Sequence, residues 1–119
     1  MANYRQKLGQ WGEDIAREYL VSKGYLIITG HWQKNCGEID IIAYDRSRKE
    51  LVFVEVKARS SVRFSRPDET IDQRKMARLE KVIGQYLAEN DFTSFRVDAI
   101  VIIKSWRPRL YHYKNIYLG

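Results

Sequence analysis

Apolar residues near the start of the chain recur at three- and four-residue steps: Leu8, Trp11, Ile15, Tyr19 and Leu20. That spacing predicts an amphipathic helix over 8–23, with Gly24 as its stop. The period then shortens. Residues 25–29 form a brief β-rich run, and 38–44 and 50–58 read as strands joined by a hairpin-length link over 45–49. Leu51, Val52, Phe53 and Val54 are apolar on both faces, the pattern of a strand covered on both sides. A polar loop over 59–67 leads into a second helix from Pro67 or Asp68 to about Glu89. A Val- and Ile-rich strand over 96–104 and a looser one over 110–117 complete the chain. The predicted order is helix, three strands, helix, two strands: a mixed sheet in a two- or three-layer α/β domain.

Composition bounds this picture. With 119 residues, 45% of them hydrophobic, the chain suits a single domain over 1–119 with one core and no internal repeat. Its 21 Lys and Arg against 15 Asp and Glu leave a net charge of +6, which favours a polyanionic partner. No apolar run approaches the roughly 20 residues of a spanning helix, and no secretory apolar region follows Met1. The lone Cys36 cannot form an internal disulfide, and no Cys/His cluster suggests zinc. A cytoplasmic protein with no membrane partner is the expectation.

The strand over 50–58 begins in hydrocarbon and ends in charge. Successive side chains alternate faces, so Glu55 and Lys57 share one. On the preceding strand Asp40 interrupts Ile39, Ile41 and Ile42, and it can meet Glu55 and Lys57 if the two strands are neighbours. Two carboxylates brought together call for a cation, and magnesium prefers oxygen ligands and bridges to phosphate. An ammonium beside that cation can hold the attacking water or stabilise charge on phosphorus. The alternative is a surface charge pair at a solvated strand end. Spacing leaves both open.

The blocks Gly37-Glu38-Ile39-Asp40 and Phe53-Val54-Glu55-Val56-Lys57-Ala58-Arg59 resemble the YraN-like family of bacterial proteins within the PD-(D/E)xK nuclease superfamily. Gly12-Glu13, Gly24-Tyr25, Lys75, Tyr86-Leu87 and Arg96-Val97-Asp98 extend the resemblance over nearly the whole chain. It implies a restriction-endonuclease-like core. It also implies a nuclease dependent on magnesium or manganese, with Asp40 and Glu55 as metal ligands, Lys57 as the catalytic lysine and Glu13 as a further acid beside the metal. Glu13 could equally pair with Arg17, one turn along. In one departure, Gly30-His31-Trp32-Gln33 stands where the family carries Arg-Asn-x-Arg. His31 and His112 receive no role.

Lys75 falls among Ile71, Leu79, Val82 and Tyr86 on its helix, so it either snorkels or meets an anion. Arg59, Arg63 and Arg66 of the loop, with Lys75 and with Arg74 and Arg78 on the helix flank, are the candidate phosphate contacts. Asp98 interrupts an apolar strand; Lys75 or Arg96 as a partner would make it structural. Trp32, Trp106 and the tyrosines are expected to be core or edge cover. Two functions follow. One is a metal-dependent nuclease acting on DNA, with branched or damaged forms among its substrates. The other is a non-catalytic nucleic-acid-binding module on the same scaffold. Cutting a junction would require two sites and therefore a homodimer.

Overall fold

The computed structural model describes residues 3–60, 73–91 and 94–116. Helix α1 (Tyr4–Ser22) starts earlier than periodicity predicts because Asn3 and Gln6 form a reciprocal capping box. It ends at Lys23, and Gly24 takes a φ of +92°, where a glycine is least strained. Strand β1 (Leu26–Thr29) follows. A small antiparallel hairpin of β2 (Trp32–Lys34) and β3 (Gly37–Ile39) comes next. Then come β4 (Ile41–Asp45), β5 (Glu50–Arg59), α2 (Gln73–Glu89), β6 (Phe95–Ile103) and β7 (Arg109–Tyr113).

The main sheet has the order β1-β4-β5-β6-β7, with β5 and β6 parallel and the other pairs antiparallel. One helix packs on each face, which makes three layers. Ala16 and Leu20 of α1 pack with Ile41, Ala43, Val52, Val54 and Ile100. Leu79, Val82 and Tyr86 of α2 pack with Ile42, Leu51, Phe53 and Val97 on the opposite face. The apolar run of β5 is therefore divided residue by residue between two cores, as a strand covered on both sides requires. The mixed sheet holds, as does the order of helix, strands, helix, strands, although five strands rather than three precede α2.

One predicted element divides. The strand expected over 38–44 is broken at Asp40: β3 belongs to the small hairpin and β4 to the main sheet. Ile39 and Ile42 both face the α2 core, whereas Ile41 faces the α1 core, so side-chain alternation resets at the break. Asp40 does not simply share a strand face with Glu38 and Ile42. Its backbone turns there, leaving its carboxylate free to bond across to β5.

Gly12 sets how closely α1 approaches the sheet. A Cβ at this buried position would lie 2.8 Å from Ala58 Cβ of β5. The neighbouring Glu13 is thereby carried to the edge where β4 leaves β5. Asp98 also finds the structural partner expected of Arg96. Arg96 Nε donates to Asp98 Oδ1 at 2.9 Å, Arg96 Nη1 reaches Asp45 Oδ2 at 2.7 Å, and Arg96 Nη2 reaches the Tyr25 hydroxyl at 2.7 Å. His112 Nε2 lies 2.7 Å from Asp98 Oδ2, and its Nδ1 lies 2.9 Å from the Tyr19 hydroxyl of α1. These groups tie β4, β6, β7 and α1 together on the face away from Glu55.

Candidate metal centre

The antiparallel ladder between β4 and β5 stops at Ile41↔Val54. A regular ladder would place Asp40 opposite Glu55; instead the Val56 amide donates to Asp40 Oδ2 at 2.8 Å. This bond replaces a backbone partner and pins the carboxylate at the fork. Asp40 is 7% exposed and Glu55 5% exposed. Burial, then the negative charge of Glu55, push the Asp40 pKa up to about 8 despite the bond from Val56. An acid held in this way gains from any cation that reaches it.

Glu13 comes to the same place from α1, and His31 from the link between β1 and β2. One carboxylate oxygen each from Glu13 and Asp40 and one ring nitrogen of His31 lie within 4.8 Å of one another. His31 Nε2 also stands 3.4 Å from Glu38 Oε2 on β3. Burial raises the Glu13 pKa; His31 and Arg17 oppose the rise, and Glu38 and Glu55 add to it. The Arg17 guanidinium pairs with Asp14 while its charge still acts on Glu13, and a Glu13 oxygen lies near Asp40 and His31. Two carboxylates and an imidazole form a donor set that suits a divalent cation, and the imidazole tilts the fit from magnesium toward manganese or a similar first-row ion.

Glu55 and Lys57 do share a face, and Lys57 Nζ lies 3.4 Å from Glu55 Oε1. Lys75 Nζ reaches the same oxygen at 2.5 Å. Of the two readings of Lys75, the one that meets an anion matches this position. Glu55, Lys75 and Arg78 line a cleft of about 260 Å³ with Gly37, Glu38 and Leu79. Arg74 is exposed on α2, and Arg59 is half-buried at the end of β5. Arg63 and Arg66, like Ile71, lie outside the described residues.

Sequence reasoning missed His31. It is an isolated exposed residue, and the only hint was its place in the segment that departs from the family pattern. Glu38 was read only as part of the Gly37-Glu38-Ile39-Asp40 block, and nothing in the sequence marks its approach to His31.

A three-layer α/β domain whose mixed sheet gathers carboxylates and a Glu-x-Lys lysine where two strands part has the restriction-endonuclease-like architecture. Residues 12–102 match the Uncharacterised protein family UPF0102, and the chain belongs to that family, the YraN-like group its motifs resemble. A UPF0102 protein of Carboxydothermus hydrogenoformans is 44% identical over 115 residues, covering 94% of this chain and 96% of its own length. One from Herpetosiphon aurantiacus is 37% identical over 123 residues, covering 98% of each. Among the described residues no helix is long and apolar enough to cross a membrane.

Proposed function

We propose that this protein is a divalent-metal-dependent nuclease that hydrolyses phosphodiester bonds of DNA. The observation that carries the reading is the approach of Glu13, His31 and Asp40 to within ligating range of one another, beside the Glu55–Lys57 pair. Glu13, His31 and Asp40 would hold the cation, with Glu55 completing the acidic wall as Lys75 yields. When bound, manganese or magnesium supplies Lewis acidity toward the phosphate and lowers the pKa of its water. Lys57, partly exposed and anchored by Glu55, positions the attacking water and stabilises charge building on phosphorus. Asp40 is kept in place by the Val56 amide, so its geometry does not depend on the cation arriving.

The test is strand cleavage of linear, nicked and branched DNA with manganese or magnesium present. The reading predicts cutting that chelation abolishes and that Lys57→Ala lowers by about 10²-fold or more. Cation binding with no cutting on any of these substrates contradicts it.

One observation favours a second reading. Glu55 is already compensated by two ammonium groups, as in a scaffold that binds nucleic acid without cutting it. That module would show salt-sensitive nucleic-acid binding unaffected by Lys57→Ala.

A further inference from the structure

Trp106 is not buried. It is 88% exposed on the turn between β6 and β7, contrary to the core or edge role expected of it, and the Arg107 guanidinium stacks on its ring with 4.9 Å to the ring centroid. Tyr4 at the start of α1 is 58% exposed. Lys104 Nζ lies 5.6 Å from the Tyr4 ring centroid and 5.7 Å from that of Trp11, so a cation bridges the turn and the helix. The Lys104 amide donates to the Arg59 carbonyl at 2.7 Å, which joins the end of β5 to the same corner. Between α1 and the end of β5 runs a groove of about 660 Å³ lined by Tyr4, Arg5 and Leu8 on one side and Lys57, Arg59 and Ser60 on the other.

The charge of this end is one-sided. Segments 3–9, 56–60 and 103–109 hold seven Lys and Arg residues and no Asp or Glu, and of these seven Lys57 pairs with Glu55. Such a corner attracts a polyanion. The aromatics narrow the choice. Two exposed rings, each with a basic side chain beside it, are of little use to a duplex, whose bases are already stacked on one another; they suit a strand whose bases are unpaired. An acidic peptide would satisfy the charges but leave the flat rings without a stacking partner. An anionic membrane would seat the rings but cannot enter the groove that runs from this corner to Lys57, as a single strand can.

We infer that this basic, aromatic corner binds an unpaired nucleic-acid strand, with Tyr4 and Trp106 stacking on bases and Arg5, Arg59 and Arg107 contacting phosphates. The inference rests on the nuclease reading only in making this strand part of the substrate, since Lys57 lines the groove and touches Glu55. A substrate with a flap, gap or fork next to the cleaved bond is the class it implies.

The test is fluorescence anisotropy with labelled oligothymidine, oligouridine and a blunt duplex, in chelator so that no cutting occurs. Oligothymidine binding is expected to exceed duplex binding. Trp106→Ala should weaken it by about 5- to 50-fold while leaving duplex binding unchanged, and Trp106→Phe should retain most of the affinity. Addition of oligothymidine should also quench tryptophan emission, and the quench should disappear in Trp106→Phe. Comparison with oligouridine distinguishes DNA from RNA as the source of the strand. Unchanged oligothymidine affinity in Trp106→Ala overturns the inference, as does binding of oligoglutamate or anionic vesicles with the same dependence on Trp106. Trp106 is exposed, so its removal leaves the core intact, and circular dichroism checks this. The two proposals fail separately: cleavage without Trp106 dependence removes only this one, and Trp106-dependent binding without cleavage removes only the nuclease reading.

Discussion

Asp40 is caught between a backbone amide that holds it and two carboxylates that repel its charge. Its folded pKa is raised to about 8 from the ordinary 3.8, with burial and then Glu55 as the causes. Between those values the folded protein binds more protons than the unfolded chain, so this group makes the metal-free protein less stable as pH rises from 3.8 toward 8. Asp40→Asn removes the charge and keeps an acceptor for the Val56 amide. At pH 8 without metal the variant should melt roughly 3–7 °C above the parent, the equivalent of about 1 kcal/mol in a chain of this size. It should also lose the rise in melting temperature that manganese gives the parent. A lower melting temperature for the variant at pH 8 would show that the Asp40 charge is not strained.

Helix α1 delivers Glu13 only because Gly12 lets it lie against β5. Gly12→Ala places a methyl 2.8 Å from Ala58 Cβ, and the resulting displacement should cost about 1–3 kcal/mol in urea unfolding. Adding Ala58→Gly reopens the space and should recover more than half of that loss. Additive losses in the double variant would mean the two residues are not in contact. Within the elements, legibility followed length and period. The apolar runs of β5 and β6 and the stripe Leu79, Val82 and Tyr86 on α2 are long enough to announce themselves, and period two put Glu55 and Lys57 on one face. The β2–β3 hairpin did not show, because each strand has only three residues, too few for a period of two to register. Nor did the break at Asp40: residues 38–44 read as one strand until the register reveals that Val56 lacks a β4 partner. The capping box at Asn3 and Gln6 was a readable signal that the apolar stripe overshadowed.

Across the whole molecule, charge is divided between the two faces of the sheet. On the α1 face, Arg96 offsets Asp45, Glu50 and Asp98 in a buried network. Burial alone would raise Asp45, but hydrogen bonds from Arg96 and Ser47 bring it down to about 2; Asp98 is likewise lowered, by His112 and Arg96, against its burial. Folded pKa values below the unfolded ones stabilise the protein above 3.8, and this contribution is lost as pH falls from there toward 2. Arg96→Ala leaves fully buried Asp98 without its main counter-charge and should cost about 3–5 kcal/mol. Acid titration of the variant, followed by circular dichroism, should show unfolding at higher pH than the parent; an unchanged acid transition contradicts this assignment. The network stabilises the fold above 3.8 while Asp40 weakens it toward 8, so the metal-free parent should be most stable in mildly acidic solution, and a dication should extend that plateau upward.

Anomalous diffraction from a crystal soaked in manganese locates the cation itself. A peak is expected about 2.0–2.5 Å from a carboxylate oxygen of Asp40 and of Glu13 and from a ring nitrogen of His31. A peak elsewhere that leaves Asp40 without a cation, or no peak at saturating manganese, would contradict this site.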